Sequence, residues 1–278
     1  MLTLGAHLSI AKGFTATAQT AIDIDGNTFQ FFTRNPRGSS VKTYATKDLQ
    51  TFAELRKAHN FGPLLAHAPY TLNLASGKPQ TYEFALQVLA EDIRRMDKID
   101  IEYLVTHTGN HTGDGLEVGM QRIIDALNQV LTAEQKIIVL LETMSGKGSE
   151  IGYRFEQLRE IIDQVEHTDK LGICFDTCHV FSAGYDIVNN LDGVLAEFDN
   201  IIGLERLKAI HLNDSMLEFN SRNDRHAAIG KGTIGQEALT RLVYHPKLTH
   251  LPFYLETPHD DVAGYAAEIA LLKQAGVR

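Results

Sequence analysis

Eight short apolar segments recur along the chain, and a longer amphipathic stretch follows most of them. The segments lie near Thr3–His7, Thr28–Thr33, Pro63–Ala68, Tyr103–Thr108, Ile137–Glu142, Leu171–Asp176, Leu207–Leu212 and Phe253–Glu256. Val, Ile, Leu and Phe dominate them with few polar interruptions, which is typical of strands buried on both faces of a parallel sheet. The alternation of such strands with helices predicts parallel βαβ units.

The stretches between the segments carry apolar residues at helical spacing. The clearest predicted helices cover Thr46–Asn60, Glu83–Lys98, Gln121–Leu131 and Phe155–Val165. Eight βαβ units in a chain of 278 residues predict an α/β protein, a single (β/α)8 TIM barrel that occupies residues 1–278 as one catalytic domain. An open doubly wound sheet is the alternative, although no G-x-G-x-x-G motif opens a helix after the first strand.

Composition narrows the class of protein. A hydrophobic content of 44% and a charged content of 22% are typical of a soluble globular protein. The chain has no apolar run of about 18 residues and no signal-peptide pattern at its start, so we expect a cytoplasmic protein without a membrane span. Cys174 and Cys178 do not have the spacing of a redox pair or a zinc knuckle, and we expect reduced thiols. The net charge of −9 repels polyanions at long range, so any nucleic-acid-binding surface has to be local.

Ionisable side chains stand at the ends of six consecutive predicted strands. These residues are His67, His107, Glu142, Asp176, His211 and Glu256, and His179 follows shortly after the sixth strand. A polar stretch before the last strand adds Asp224 and His226, which lie on one side of an extended segment. Because most of these residues follow apolar sequence that should be buried, a charged group there needs a partner or a metal ion.

The nine residues comprise five histidines, two aspartates and two glutamates, a donor set that suits zinc and also manganese or iron. Three protein ligands per metal leave a position for water or substrate, and nine ligands with a bridging carboxylate can hold three ions. The set therefore predicts a multinuclear hydrolytic site in the barrel mouth. Taken singly, each residue keeps a structural alternative, such as a core histidine at His67 or a helix cap at Asp176. His7 ends the first segment and is expected to face the same mouth, where it contacts substrate or the ligands.

The sequence resembles endonuclease IV, the zinc-dependent TIM-barrel nuclease of abasic-site DNA repair, along essentially its whole length. The matching segments are GAHLS at 5–9, FFTRNPR at 31–37, HAPYTLNLAS at 67–76, HTGNH at 107–111, ETMSGKGSEIG at 142–152, CFDTCHVFSAGYD at 174–186, HLNDS at 211–215, SRNDRHAAIGKGTIG at 221–235 and LET at 255–257. The segments at 174–186 and 221–235 are too long and specific to match in order by chance.

The resemblance implies hydrolysis of the phosphodiester 5′ to an abasic site in duplex DNA, which leaves a 3′-hydroxyl and a 5′-deoxyribose phosphate, and trimming of blocked 3′ ends. It implies three Zn²⁺ ions, with Mn²⁺ as a substitute in part, and assigns Glu142 the catalytic role of orienting the nucleophile. One ion would take His67, His107 and Glu142. The second would take Glu142, Asp176, His211 and Glu256, and the third His179, Asp224 and His226.

Damaged double-stranded DNA is the partner that the resemblance implies, and we expect a monomer with no obligate protein partner. Arg37 and Tyr70 match positions that push into the duplex. Arg222 and Arg225 flank Asp224, where they are placed to contact phosphates, and Arg34 is either a further phosphate contact or a solvated loop charge.

Two other functions compete with this one. A sugar isomerase or epimerase of the same barrel superfamily would need only Glu142, Asp176, His211 and Glu256, and would leave five of the nine side chains without a role. A protein that binds DNA lesions without cutting them would not need the complete ligand set.

Overall fold

Eight parallel strands form a closed barrel in the computed structural model, which describes residues 2–35, 41 and 43–276. The first seven are Thr3–His7 (β1), Thr28–Phe32 (β2), Leu65–His67 (β3), Tyr103–Thr106 (β4), Ile138–Glu142 (β5), Leu171–Asp176 (β6) and Leu207–His211 (β7). A short antiparallel pair, Asp214–Ser215 (β8) and His226–Ala227 (β9), lies outside the barrel, and Pro252–Leu255 (β10) completes it. Because β1 pairs with both β2 and β10, the ring is closed. The predicted TIM barrel is confirmed, and the open sheet is excluded.

Helices connect the strands around the outside of the barrel. They are Phe14–Asp23 (α1), Thr46–Ala58 (α2), Pro79–Asp97 (α3), Leu116–Val130 (α4), Phe155–Asp163 (α5), Thr177–Ala183 (α6), Leu191–Ile201 (α7), Gln236–Val243 (α8) and Val262–Ala275 (α9). The helices α3 and α4 begin earlier than the sequence predicts, at Pro79 instead of Glu83 and at Leu116 instead of Gln121. Proline at the first position starts α3, because its fixed φ suits a helix N-terminus and its missing N–H is not needed there. Within the described part of the chain, no helix has the length and apolarity that crossing a bilayer requires.

Two apolar layers explain why the strands read as unbroken apolar runs. The outer layer lies between strands and helices; α3, for example, contributes Val88, Leu89, Ile93 and Met96 at helical spacing. The inner layer fills the barrel below its mouth and consists of the buried residues Leu65, Val105, Leu140, Cys174, Ala209 and Tyr254. Polar side chains are therefore concentrated above this inner layer, at the carboxyl ends of the strands.

Candidate metal centre

Nine ionisable side chains meet at the carboxyl rim of the barrel. They are the nine that the sequence singles out: His67, His107, Glu142, Asp176, His179, His211, Asp224, His226 and Glu256. In a parallel barrel all strands end at the same rim, so residues far apart in sequence come together there. Their donor atoms fall into overlapping groups within which the atoms lie no more than 4.8 Å apart.

The first group consists of His67, His107 and Glu142. Nε2 of His107 lies 3.2 Å from Oε2 of Glu142, and Nε2 of His67 lies 3.7 Å from the same oxygen. The Glu142 carboxylate is buried at the end of β5, so bulk water does not solvate its charge and a partner is needed. Two imidazoles and a carboxylate around one space form the kind of donor set that holds a divalent ion.

A second group surrounds Nδ1 of His211. This nitrogen lies 2.9 Å from Glu142 Oε1, 3.3 Å from Glu256 Oε2 and 3.8 Å from Asp176 Oδ2. Three buried or partly buried carboxylates at such short range repel one another unless a cation lies between them. Because Glu142 belongs to both groups, its two oxygens are placed to bridge two ions.

His179, Asp224 and His226 form the third part of the cluster. Oδ1 of Asp224 lies 3.3 Å from Nε2 of His179 and 3.3 Å from Nε2 of His226. Asp176 contributes here as well, with 3.6 Å between its Oδ2 and His226 Nε2. Its other oxygen accepts a hydrogen bond of 2.7 Å from the backbone N–H of His179 and caps α6. The helix-cap role of Asp176 and its place in the cluster are therefore compatible.

Three buried polar atoms of the cluster have no hydrogen-bond partner in the described part of the chain: Glu142 Oε2, His179 Nε2 and His226 Nε2. Nδ1 of His179 lies 2.9 Å from the carbonyl oxygen of Thr143, and Nδ1 of His67 lies 2.5 Å from that of Ala68. Because a carbonyl oxygen only accepts, Nδ1 carries the hydrogen in both histidines and Nε2 offers a lone pair to the cluster. Buried nitrogen and oxygen atoms that have lone pairs but no hydrogen-bond partner fit divalent metal ions.

The charges of the cluster depend on burial and on its internal pairs. Burial lowers the pKa of His67 to about 4, so this imidazole is neutral at pH 7. Burial also opposes the charged form of His211, but the Cys174 thiol and the carboxylates of Glu256 and Glu142 raise its pKa well above the usual value. The pKa of Glu142 is well below its usual range, because the imidazoles of His211 and His107 outweigh the effect of burial. The Glu142 carboxylate thus remains ionised and available to cations.

Two buried amides support the cluster, and neither is among the residues predicted from the sequence. Gln30, in β2, has its Oε1 2.6 Å from His211 Nε2 and donates from Nε2 to Glu256 Oε1 at 2.5 Å. Asn213 donates from Nδ2 to Asp176 Oδ2 at 2.8 Å, and its Oδ1 accepts from the backbone N–H of Glu256 at 2.9 Å. A polar residue inside an apolar strand, as in FQFF, is the signal that could have identified Gln30.

Asp214 organises the glycine-rich segment that follows His226. Its buried carboxylate accepts hydrogen bonds from the backbone N–H groups of Ser215, Gly230, Gly232, Ile234 and Gly235. A Cβ atom on Gly232 would lie 2.2 Å from the carbonyl oxygen of Ser215, so the close approach requires glycine. The HLNDS and IGKGTIG motifs are therefore one structural unit.

Glu268 on α9 connects the segments that carry His226 and Glu256. It accepts from the backbone N–H of Ile229 at 2.6 Å and from Oγ1 of Thr257 at 2.5 Å. Nε2 of His259 lies 2.9 Å from the same carboxylate. Both segments are thus held against one helix, which limits the movement of the His226 and Glu256 side chains.

Three of the four side chains expected to contact DNA lie in the described residues. Tyr70 follows β3 and is 47% exposed. The guanidinium of Arg222 lies 4.4 Å from the centre of the Tyr153 ring, and Arg225 is exposed. Arg37 lies outside the described residues. The exposed rim of the mouth therefore carries positive and aromatic groups.

Arg34 does not extend into solvent. Its Nη2 lies 2.5 Å from Asp92 Oδ1 and 3.1 Å from Glu91 Oε2, and the residue is buried. This ion pair holds the residues after β2 against α3, because both carboxylates belong to that helix. Both alternatives for Arg34, a phosphate contact and a solvated loop charge, are therefore corrected: the side chain is buried and structural.

A cavity of about 300 Å³ opens above the cluster. Its lining includes seven of the nine ionisable residues together with His7, Phe32, Tyr70 and Tyr265. A larger cavity of about 730 Å³ shares His7 and Phe32 but includes none of the nine. The groups that can carry out chemistry therefore border the smaller cavity.

Known proteins resemble this chain over nearly its full length. Residues 18–275 match the family described as a xylose isomerase-like TIM barrel. A relative from Akkermansia muciniphila named probable endonuclease 4 is 55% identical over 271 residues, 98% of each chain, and one of the same name from Alkaliphilus oremlandii is 53% identical over 275 residues, 99% of this chain and 98% of the relative. The crystal structure of endonuclease IV from Thermus thermophilus has a TM-score of 0.85 at 32% identity and covers 98% of this chain and 99% of that one.

Proposed function

The chain belongs to the endonuclease IV family, and from that membership we propose that it is a DNA-repair endonuclease that hydrolyses the phosphodiester 5′ to abasic sites in duplex DNA. The products would be a 3′-hydroxyl and a 5′-deoxyribose phosphate, and the same site would trim blocked 3′ ends. The observation that carries the proposal is the cluster of nine ligand-type side chains with unpartnered buried atoms at its centre. We assign the activity to residues 1–278 acting as one catalytic domain.

Three Zn²⁺ ions are the proposed cofactors. The sets that would hold them are His67, His107 and Glu142; Glu142, Asp176, His211 and Glu256; and His179, Asp224 and His226. The distances between these donor atoms support the assignment, and so do the fixed tautomers of His67 and His179. Manganese accepts the same nitrogen and oxygen donors, so it is a substitute at part of the site.

Bound divalent ions would lower the pKa of water and stabilise charge on phosphate oxygens. The protein's own contribution is to fix the positions of the groups around the reacting phosphate. Glu142 is held rigidly at the end of β5, with one oxygen facing His211 and the other facing His107, so it is placed to orient a water nucleophile. Asp224 is 39% exposed and lies on the side from which substrate enters.

Damaged duplex DNA is the proposed partner, although the chain carries a net charge of −9. Ions in the cluster would reverse the negative charge of its four carboxylates and make the mouth attractive to phosphate. Arg222 and Arg225 are proposed phosphate contacts, and Tyr70 and Arg37 are proposed to enter the duplex beside the lesion. An abasic nucleotide leaves the base stack at low cost because it has no base pair to break. We propose that the protein acts as a cytoplasmic monomer.

The sugar isomerase or epimerase alternative has support from fold alone. A D-tagatose 3-epimerase-like protein has a TM-score of 0.73 at 19% identity over 98% of this chain and 97% of that one. Only Glu142, Asp176, His211 and Glu256 are needed for that chemistry, whereas the nuclease proposal gives a role to all nine side chains. The proposal therefore accounts for more of the observed cluster.

The experiment uses an end-labelled duplex with one stable abasic analogue, the zinc-loaded protein and its Glu142→Gln variant. We expect one nick on the 5′ side of the lesion, a 3′-hydroxyl at the nick, and no nick in an undamaged duplex of the same sequence. The variant should lose the activity. Folded wild-type protein that contains zinc and leaves the lesion strand intact would overturn the proposal and direct attention to sugar substrates.

A further inference from the structure

Gln30 lies fully buried in β2, and its amide contacts three groups of the site. Its Nε2 lies 2.5 Å from Glu256 Oε1 and 2.7 Å from His7 Nδ1. Its Oε1 lies 2.6 Å from His211 Nε2. A neutral amide thus connects two members of the metal cluster with a histidine that is not one of them.

The carboxylate of Glu256 determines the direction of all three hydrogen bonds. An ionised carboxylate only accepts, so the amide atom that faces it is nitrogen, and the oxygen of Gln30 faces His211. That oxygen also only accepts, so Nε2 of His211 carries a hydrogen and Nδ1 keeps its lone pair for the cluster. The orientation of the Gln30 amide and the tautomer of His211 both follow from hydrogen-bond polarity alone.

The second hydrogen of the Gln30 amide goes to Nδ1 of His7. A neutral His7 that accepts at Nδ1 carries its own hydrogen on Nε2. Within the described residues, no hydrogen bond involves Nε2 of His7. The His7 side chain is 17% exposed. The ring lies 4.3 Å from that of Phe32 and lines the cavity above the cluster. His7 therefore presents an N–H donor at the place where substrate is expected.

We propose that Gln30 is a positioning residue that fixes the tautomers of His211 and His7, and that His7 donates a hydrogen bond from Nε2 to a phosphate oxygen of the substrate. The His7 part rests on the proposed function, since it needs a phosphodiester in the cavity. The Gln30–His211 part concerns metal binding and is independent of the substrate. The two parts can therefore be tested separately.

The His7 part is tested with three variants whose amides or rings differ in position. His7→Gln keeps an N–H donor that reaches the place of Nε2, His7→Asn keeps only a group near Nδ1, and His7→Phe keeps neither. We expect His7→Asn and His7→Phe to lower kcat/KM for nicking by about 10- to 100-fold, as loss of a hydrogen bond to a charged group would. His7→Gln should remain within about threefold of wild type.

Metal content measured on the same samples separates substrate contact from metal loss. We expect unchanged zinc per chain in all three His7 variants and unchanged activity in His59→Asn, a control at an exposed position after α2. Wild-type kcat/KM in His7→Phe would overturn the His7 part, and so would a loss of zinc that parallels the loss of activity.

The Gln30 part is tested by zinc affinity, measured by competition with a chromogenic chelator in the absence of DNA. Gln30→Met removes all three hydrogen bonds at similar volume, and Gln30→Glu keeps the acceptor for His211 but places a carboxylate against Glu256. We expect Gln30→Met to lower the zinc affinity of the site that contains His211 and Glu256 by about 10- to 100-fold, the usual cost of losing a partner of a metal ligand.

The exposed Gln50→Met variant on α2 serves as the matched control and should bind zinc as the wild type does. Gln30→Glu should weaken binding less than Gln30→Met, since it still fixes His211. Equal zinc affinity in Gln30→Met and wild type would overturn this part. A wild-type protein that binds zinc but never nicks abasic DNA would refute the proposed function and leave the Gln30 result valid.

Discussion

Nδ1 of His211 lies 2.9 Å from Oε1 of Glu142 at the centre of the cluster. Both atoms are buried, and each needs a partner in the low-dielectric interior. A proton on the imidazole can satisfy the pair in the metal-free protein, and under the proposed function a metal ion would satisfy it in the loaded protein. Protons and metal ions therefore compete for the same atoms, and pH is expected to change the stability of the two forms in opposite directions.

The metal-free protein is expected to lose stability above about pH 6.5. Burial opposes the charged forms of His179 and His211. Carboxylate neighbours nevertheless raise the pKa values of both histidines well above the usual 6.5. A raised pKa contributes stability below 6.5, which is lost as pH rises through the folded-state pKa. The pKa of Glu142 is lowered from 4.5, so its contribution is present above 4.5 and lost in acid. The lowered pKa of His67, about 4, has the opposite effect on stability to that of His179 and His211, because the unfolded chain then binds a proton that the folded protein does not.

Thermal unfolding of chelator-treated and zinc-loaded protein between pH 5 and pH 8 provides the measurement. Because zinc needs deprotonated imidazoles, we expect the rise in Tm that zinc produces to grow with pH. The Tm of the chelator-treated protein should decline above about pH 6.5. A zinc effect that is constant from pH 5 to pH 8 would show that the imidazoles are not ligands.

Asp224→Asn is expected to remove about one metal ion per chain without unfolding the protein. Asp224 is 39% exposed, and an asparagine keeps a carbonyl oxygen beside the Nε2 atoms of His179 and His226, so the fold should remain intact. Asp176→Asn is the contrasting variant, because that carboxylate is fully buried and caps α6. Asparagine still caps a helix, but its amide nitrogen would face the Nδ2 donor of Asn213, so the variant should lower the free energy of unfolding of the chelator-treated protein by about 1 kcal/mol or more. Zinc analysis and denaturant unfolding of both variants give the test, and equal zinc content in Asp224→Asn and wild type would contradict it.

Asp214→Asn is expected to disrupt the segment that follows His226. An asparagine cannot accept all the hydrogen bonds that the Asp214 carboxylate accepts from backbone N–H groups, and each buried donor left unpaired costs about 1–3 kcal/mol. Urea unfolding should show a loss of a few kcal/mol. Asp186→Asn is the control, since that carboxylate also accepts backbone N–H groups but is only partly buried, whereas Asp214 is fully buried. A loss no larger than that of the control would refute the structural role of Asp214.

Arg222→Ala is expected to weaken binding to abasic and undamaged duplexes by similar factors. A phosphate contact carries no sequence or lesion information, and its loss lowers the slope of log affinity against log salt by about 1. Tyr153→Leu should have a smaller effect in the same direction, because the ring only holds the guanidinium. Arg159→Ala removes an exposed cation on α5 and should leave both affinity and slope unchanged. An unchanged slope in Arg222→Ala would show that it does not contact phosphate.

The sequence is sufficient to predict the barrel because its strands are buried on both faces. An unbroken apolar run such as Leu171–Asp176 has few other structural explanations, and the observed β6 has the same bounds. Boundaries are less accurate where the chain leaves the sheet before its apolar character ends. The pattern predicts a strand over Tyr103–Thr108, but β4 ends at Thr106 and His107 follows it at the rim.

The residues of the cluster can be found because carboxylates and imidazoles at buried strand ends are conspicuous. Their supporting residues are harder to find. The sequence FQFF marks Gln30 as an unusual polar residue, but the hydrogen-bond partners of Gln30 and Asn213 are distant in sequence. Arg34 illustrates the same dependence on partners that are distant in sequence, here for a residue that the sequence suggested as a DNA contact. Its position after β2 indicates a loop charge, and only the packing of α3 places Asp92 against it.

The inner apolar layer of the barrel has a kinetic consequence. Leu140, Cys174 and Tyr254 are fully packed below the cluster, so ions reach their ligands through the mouth that faces solvent. A duplex seated over that mouth would cover the exchange route of every ion beneath it. Bound DNA would then slow the dissociation of the metal ions that its own hydrolysis requires. Chelators should therefore inactivate the protein more slowly while DNA is bound.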